Sequence, residues 1–162
     1  MENQKKNVVI WKFILAILLC ESVGIISGLI ANANNNQWLE TLNKPSWNPP
    51  AYLFGPVWTT LYVMLGIALF LVWKSNSDKS VKQQAIRWWA IQMVFNFLWS
   101  FIFFNQHQIG LAFLDIFVMW IIITVTIFAF AKINKLAAWL LVPYIAWVTF
   151  AGILNFAIWR MN

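Results

Sequence analysis

Few residues in this chain are of types that do chemistry, and their positions narrow what that chemistry is. Glu21 and Asp115 are the only acids inside long apolar stretches. A carboxylate within a membrane is expensive and by default faces protein or a water-filled cavity. Asp115 therefore reads either as a structurally paired group or as part of a functional site. Together the two acids allow a small proton-coupled exporter that uses Glu21 or Asp115. Gln92, Asn96, Trp99 and Phe103 recur at i, i+4, i+7 and i+11, which puts amides and aromatic rings on one helix face. Such a face suits either hydrogen bonding between helices or the binding of an amphipathic ring compound. Pro143, Trp147, Ala151 and Leu154 form a second face with Asn155 adjoining it, and this reads either as a close helix crossing or as a pocket floor. Trp58, Trp99, Trp120 and Trp147 lie deep in apolar stretches, where an indole N–H needs a partner away from water. Cys20 and His107 are each the single residue of their type, so no internal disulfide or histidine-cluster metal centre forms. Cys20 reads as packing and His107 as a loop residue. No nucleophile–base pair, phosphate-binding glycine loop or metal site is apparent. Any catalysis would have to rest on tryptophans and a bound chromophore.

The elements that position these residues follow from composition. The chain is 62% hydrophobic, 18% aromatic and only 10% charged, with mean hydropathy +0.70. That is the composition of a membrane protein. Five stretches, at about 13–31, 51–73, 88–106, 109–131 and 136–159, match the roughly 17–25 apolar residues that a crossing needs. The expected fold is an all-α integral membrane protein, a bundle of five transmembrane helices in one domain over 1–162. The links at 74–87, 106–108 and 132–135 are short, which predicts antiparallel neighbours, whereas 32–50 is a long polar loop. Lys5, Lys6, Lys12, Lys74, Lys79, Lys82, Arg87, Lys132 and Lys135 fall on the side of the N-terminus, and only Lys44 and Arg160 fall on the other. This asymmetry places the N-terminus in the cytoplasm and the C-terminus outside. It accounts for the net charge of +6 without a nucleic-acid partner. Trp11, Trp38, Trp73, Trp88, Trp89, Trp139 and Trp159 fall near expected helix ends and read as interfacial belts.

The approach to the second span, Pro45–Tyr62, is PSWNPPAYLFGPVWTTLY. Pro45, Pro49 and Pro50 hold their preceding residues extended, and Asn48 is placed to cap the helix that follows. Pro56 removes one backbone donor a turn inside, so this helix end is expected to be covered by protein and not by lipid. Trp58 and Tyr62 stand at i, i+4 on a face overlapping Gly55 and Pro56, the wall of an expected pocket.

These residues resemble the TspO/MBR family of translocator proteins, also called tryptophan-rich sensory proteins or peripheral-type benzodiazepine receptors. The likeness runs almost end to end. It rests on Pro45-Ser46-Trp47-Asn48-Pro49-Pro50, on Phe54-Gly55-Pro56-Val57-Trp58 with Tyr62, and on Asn96-Phe97-Leu98-Trp99-Ser100. It continues through Leu140–Trp147, Phe150-Ala151 and Leu154-Asn155 to Trp159–Asn162. The resemblance implies a homodimer of five-helix protomers in a bacterial cell membrane. It implies one pocket per protomer for protoporphyrin IX, shared with synthetic isoquinoline carboxamides and benzodiazepines, and no required cofactor. By position that pocket comprises Trp47, Pro49, Trp58, Tyr62, Asn96, Trp99, Phe103, Asp115, Ile116, Trp147 and Ala151. Some bacterial members are reported to degrade the porphyrin in light and oxygen, and the tryptophans tied to that activity match Trp58 and Trp147. The cholesterol motif of animal members is not intact: Leu154 and Arg160 stand in place, but Phe156 occupies the tyrosine position. This argues against cholesterol as a partner.

Overall fold

The computed structural model describes the backbone over 2–33 and 36–162 and the side chains over 9–31 and 37–162. Lys5 and Lys6 of the charge asymmetry, and 32–36 of the long loop, lie outside the described side chains. Among the described residues there are seven α-helices: α1 Glu2–Ala33, α2 Asn36–Thr41, α3 Ala51–Trp73, α4 Lys79–Ser100, α5 Ile109–Ala131, α6 Lys135–Leu140 and α7 Val142–Met161. A π-helical turn, Phe101–Asn105, extends α4. Val9–Ala31, Ala51–Trp73, Ile109–Ala131 and Lys135–Met161 are long and apolar enough to cross a membrane. The fold is thus an all-helical bundle of membrane type, with α4 as a more polar fifth long helix.

The helices differ from their sequence expectation at three points, each with a physical reason. The helix expected over 88–106 begins at Lys79, because Lys79–Arg87 is rich in Lys, Gln, Ala and Arg, good helix formers that are too polar for an apolar run. Trp89 consequently sits in the third turn, 7% exposed in the core, and does not belong to an interfacial belt. The helix expected over 136–159 is interrupted at Leu141, since Pro143 lacks an N–H and sits in the first turn of a new helix. The short piece α6 is capped by Asn134, whose Oδ1 accepts from Ala137 N at 3.0 Å. The loop expected over 32–50 contains α2.

The helices close a ring. α1 packs on α3 and α4, α3 on α6, α5 on α4, α6 and α7. Direct α3–α4 contact is slighter than the short 74–78 link suggests, because α1 and α6 take most of the surface of α3. Charges sort by end as expected for the described residues. Lys12 Nζ lies 5.6 Å from the Trp73 ring centroid, which sets the start of α1 beside the end of α3. Lys82 Nζ donates to Ser75 O at 2.9 Å at the same end. At the opposite end the loop is tied to the chain's last residues: Asn43 N donates to Asn162 Oδ1 at 2.9 Å and Asn162 Nδ2 to Asn43 O at 3.0 Å.

That tie and the Trp47–Phe150 ring contact set the loop against α7. Tyr52 is 75% exposed, Gly55 and Pro56 are exposed as well, and the described residues of the chain do not supply the expected protein cover over this end. Asn48 does not cap α3 either. Its N–H closes a turn on Pro45 O at 2.9 Å and its Nδ2 donates to Pro49 O at 3.0 Å, leaving Pro50 as the N-cap.

The α1–α3 crossing depends on Gly66. A Cβ there would stand 2.7 Å from Ile17 Cα and 3.0 Å from Ala16 O, backbone atoms that cannot move aside cheaply. Gly66→Ala should therefore lower the melting temperature in detergent, with overpacking costing about 1–3 kcal/mol. Gly55→Ala, where a Cβ meets nothing within 4 Å, should be neutral or raise it by up to about 1 kcal/mol. Equal melting of the two variants would count against this crossing.

Candidate functional site

The centre of the bundle holds a ladder of polar side chains that no backbone group satisfies. Tyr62 on α3 donates its hydroxyl to Asn96 Oδ1 on α4. Asn96 Nδ2 donates to Tyr144 Oη on α7 at 3.1 Å, and Tyr144 in turn donates to Gln92 Oε1 at 2.8 Å. Asn96 is 3% exposed, and Tyr144 and Gln92 are fully buried. The register comes from helix geometry: Gln92 and Asn96 are one turn apart and reach the same phenol. Tyr62 keeps its place because α1 offers Gly24 opposite the ring, where a Cβ would overlap Cε2 and Cδ2. Asp115 stands one turn before Met119, whose Sδ lies 3.8 Å from Tyr144 Oη, so this carboxyl shares the helix face turned to the ladder. Asp115 is buried and its Oδ2 has no partner among the described residues, so full structural pairing is not what this acid has.

Aromatic rings stack on one flank of the ladder. Trp58 lies 5.5 Å from Tyr62 at 27° and 6.3 Å from Tyr144 at 69°. Phe54, one turn before Trp58, meets Trp147 edge-on at 5.9 Å. Trp147 continues to Phe150 at 5.4 Å, and Phe150 to Trp47 at 6.0 Å. These separations fall within the range of favourable ring pairs. The result is a line of rings across α3, α7 and the loop, ending at half-exposed Trp47. Trp147 Nε1 is buried without an acceptor among the described residues, unlike Trp99 Nε1, which donates to Asn155 Oδ1 at 2.9 Å, and Trp120 Nε1, which donates to Thr149 Oγ1 at 2.8 Å.

A second aromatic group forms around the π turn. Trp99 stacks on Phe103 at 5.1 Å, Trp38 meets Phe103 edge-on at 5.5 Å, and His107 stacks on Trp38 at 4.1 Å. His107 takes a left-handed backbone, φ 56°, to end the helix. It is a loop residue, as expected, held by its ring contact. Asn155 also donates Nδ2 to Ile109 O at 2.9 Å, fixing α7 to the start of α5.

The expected pocket residues are thus brought together unevenly. Trp58, Tyr62, Asn96 and Trp147 converge on the ladder, and Trp47 joins through Phe150. Trp99 and Phe103 belong to the second group. Ile116 and Ala151 pack between α5 and α7 beside Gly152, where Ile116 Cγ2 lies 3.8 Å from the position a Cβ would take. Pro49 is half-buried at the rim. Glu21 is half-buried on α1 with Oε1 unpartnered among the described residues. Sequence reasoning missed Tyr144, the pivot of the ladder, although a phenol right after Pro143 and one turn before Trp147 is a readable signal.

What fold and site define together is a membrane-type helical protein whose buried amides and phenols face a wall of tryptophans. Comparison with known proteins gives this class its family. The model of the TspO/MBR family matches residues 16–160, and the chain belongs to that family. It is 41% identical to the tryptophan-rich protein TspO of Chlorobaculum tepidum, over 91% of this chain and 94% of that one. It is 35% identical to the human translocator protein, over 94% and 91% respectively. Identity to the tryptophan-rich sensory protein of Cereibacter sphaeroides is 33%, over 94% and 92%.

Among the described residues, Asn96 alone is hydrogen-bonded to both phenols of the ladder. Asn96→Leu should strand the Tyr62 hydroxyl and lower stability by about 1–3 kcal/mol, whereas Thr149→Val at the exposed Trp120 contact should cost well under half of that. Thermal unfolding in detergent checks the contrast.

Proposed function

We propose that this chain is a tetrapyrrole-binding protein of a bacterial cell membrane, with protoporphyrin IX the ligand that the site suits. In this reading α4 and its π turn cross the bilayer as a fifth span, the N-terminus is cytoplasmic, and the protomers pair as a homodimer. The observation that carries the reading is the line of rings Trp58, Phe54, Trp147, Phe150 and Trp47 beside a ladder of buried amides and phenols. A flat macrocycle offers two π faces to such a wall. Its carboxylates need donors, and Trp147 Nε1 is a buried donor without an acceptor among the described residues. Isoquinoline carboxamides and benzodiazepines, smaller ring systems with polar carbonyls, would occupy the same wall. The remaining expected contacts, Pro49, Trp99, Phe103, Asp115, Ile116 and Ala151, would form its rim and floor.

Binding serves sensing, transport or disposal of the porphyrin, and light decides between them. Purified protein titrated with protoporphyrin IX should give a saturable change in the visible spectrum, competed by an isoquinoline carboxamide. No saturable change would refute the proposal. Under illumination in air, loss of the porphyrin bands in wild type but not in a Trp58→Phe/Trp147→Phe variant that still binds would assign degradation to these tryptophans. An unchanged spectrum would leave a carrier or sensor, with both residues as pocket wall. Flux driven by a pH gradient and lost in Glu21→Gln would instead favour the exporter.

A further inference from the structure

Far from the ladder, at the basic end of the bundle, α4 and α5 enclose a groove of about 270 Å³. Its floor is Val81 and Ala85 on α4 and Val125 and Ala129 on α5. Trp88 and Phe128 flank it, and Gln84 and Lys132 supply its polar atoms. The helices run antiparallel, so Val81 lies level with Lys132 and Trp88 level with Val125. Each stretch rises about 10 Å along its axis. Phe128 is 66% exposed and Val81, Val125 and Lys132 are exposed too, so the groove opens outward from the bundle.

We infer that this groove is a binding site for one anionic phospholipid. Lys132 closes α5, which sets its ammonium at headgroup level with the apolar floor below it. The cavity is therefore graded as a lipid is: charge at the mouth with an amide just below it, and hydrocarbon beneath, with a tryptophan at its deep end. Basic hollows between membrane helices on the cytoplasmic side are suited to anionic headgroups. The surroundings set the sign. Lys74, Lys79, Lys82 and Lys135 stand at the same end, against Asp78, with Arg87 about two turns further along α4. An anionic headgroup is drawn to this field, while a zwitterionic one brings a cation of its own. A free phosphate could satisfy Lys132 and Gln84 but would leave the apolar floor uncovered, so the occupant is a lipid and not a soluble anion.

Full-length protein in detergent, titrated with phosphatidylglycerol or phosphatidylcholine and read by native mass spectrometry, tests this. One phosphatidylglycerol per chain should bind more tightly than phosphatidylcholine. Lys132→Gln should weaken it about fivefold, the factor that a single lysine near a charged lipid surface contributes. Lys135→Gln, at the same end but outside the groove, should change affinity less than twofold. Ala129→Trp should abolish the adduct by filling the floor, with helicity by circular dichroism showing that the fold survives. Equal losses from Lys132→Gln and Lys135→Gln would reduce the effect to surface charge and overturn the site. So would equal binding of the two lipids, full competition by glycerol phosphate, or a change of oligomeric state in Ala129→Trp that makes a second copy the occupant.

Discussion

Everything in this bundle depends on the rule that a polar group buried in a membrane must find its partner within the protein. The Tyr62–Asn96–Tyr144–Gln92 ladder is where the rule bears hardest, because four side chains from three helices bond to one another with almost no exposure, and among the described residues only Gln92 Nε2 of their amide groups is left without a partner. Hydrophobic packing alone leaves apolar helices free to slide and rotate in lipid, since hydrocarbon tails are as good a solvent for leucine as leucine is. A hydrogen-bonded ladder removes that freedom. It fixes the rotation of α3, α4 and α7 about their axes, and so fixes which way Trp58 and Trp147 point.

The ladder also explains why the glycines matter where they do. Gly24 makes room for the Tyr62 ring and Gly66 lets α1 ride against α3, so α1 serves chiefly as the wall that holds the phenol in place. The Trp99–Asn155–Ile109 chain performs the same office one turn beyond the ladder, at the C-terminal end of α4. Through Gln92, Asn96 and Trp99 the second half of α4 is thus held by groups that lipid could not satisfy.

How much of this could be read beforehand depended on whether the signal was local. The face of Gln92, Asn96, Trp99 and Phe103 was legible because helical spacing maps sequence directly onto one surface. Bends and starts were harder. Lys79–Arg87 is a good helix in water and so is invisible to a search for apolar runs, which misplaced Trp89. Asn48 has the right type and spacing for a cap, yet its side chain turned to Pro49, since whether a short polar side chain caps or turns is settled by backbone angles. Tyr144 was missed because its role needs partners on two other helices, information that spacing along one helix does not carry. The separation of Trp99 and Phe103 from the Trp58–Trp147 wall is likewise a matter of which helices neighbour α4, and short links named only some of those neighbours.

The π turn at Phe101–Asn105 has a consequence for how this chain tolerates change in length. In a regular α-helix every residue added or removed rotates all that follows by about 100°, so within Gln92–Asn96 an insertion would tear the ladder apart. A π turn is a regular turn with one residue too many, held by a wider hydrogen bond, here Gln106 N to Phe101 O at 3.1 Å. Removing one residue from it would restore ordinary winding and leave everything before Ser100 where it is. Among the described residues the π turn is thus a place of slack, beyond the last residue of the ladder and before the loop, where shortening the chain disturbs the Phe103 contacts but keeps the register of the ladder.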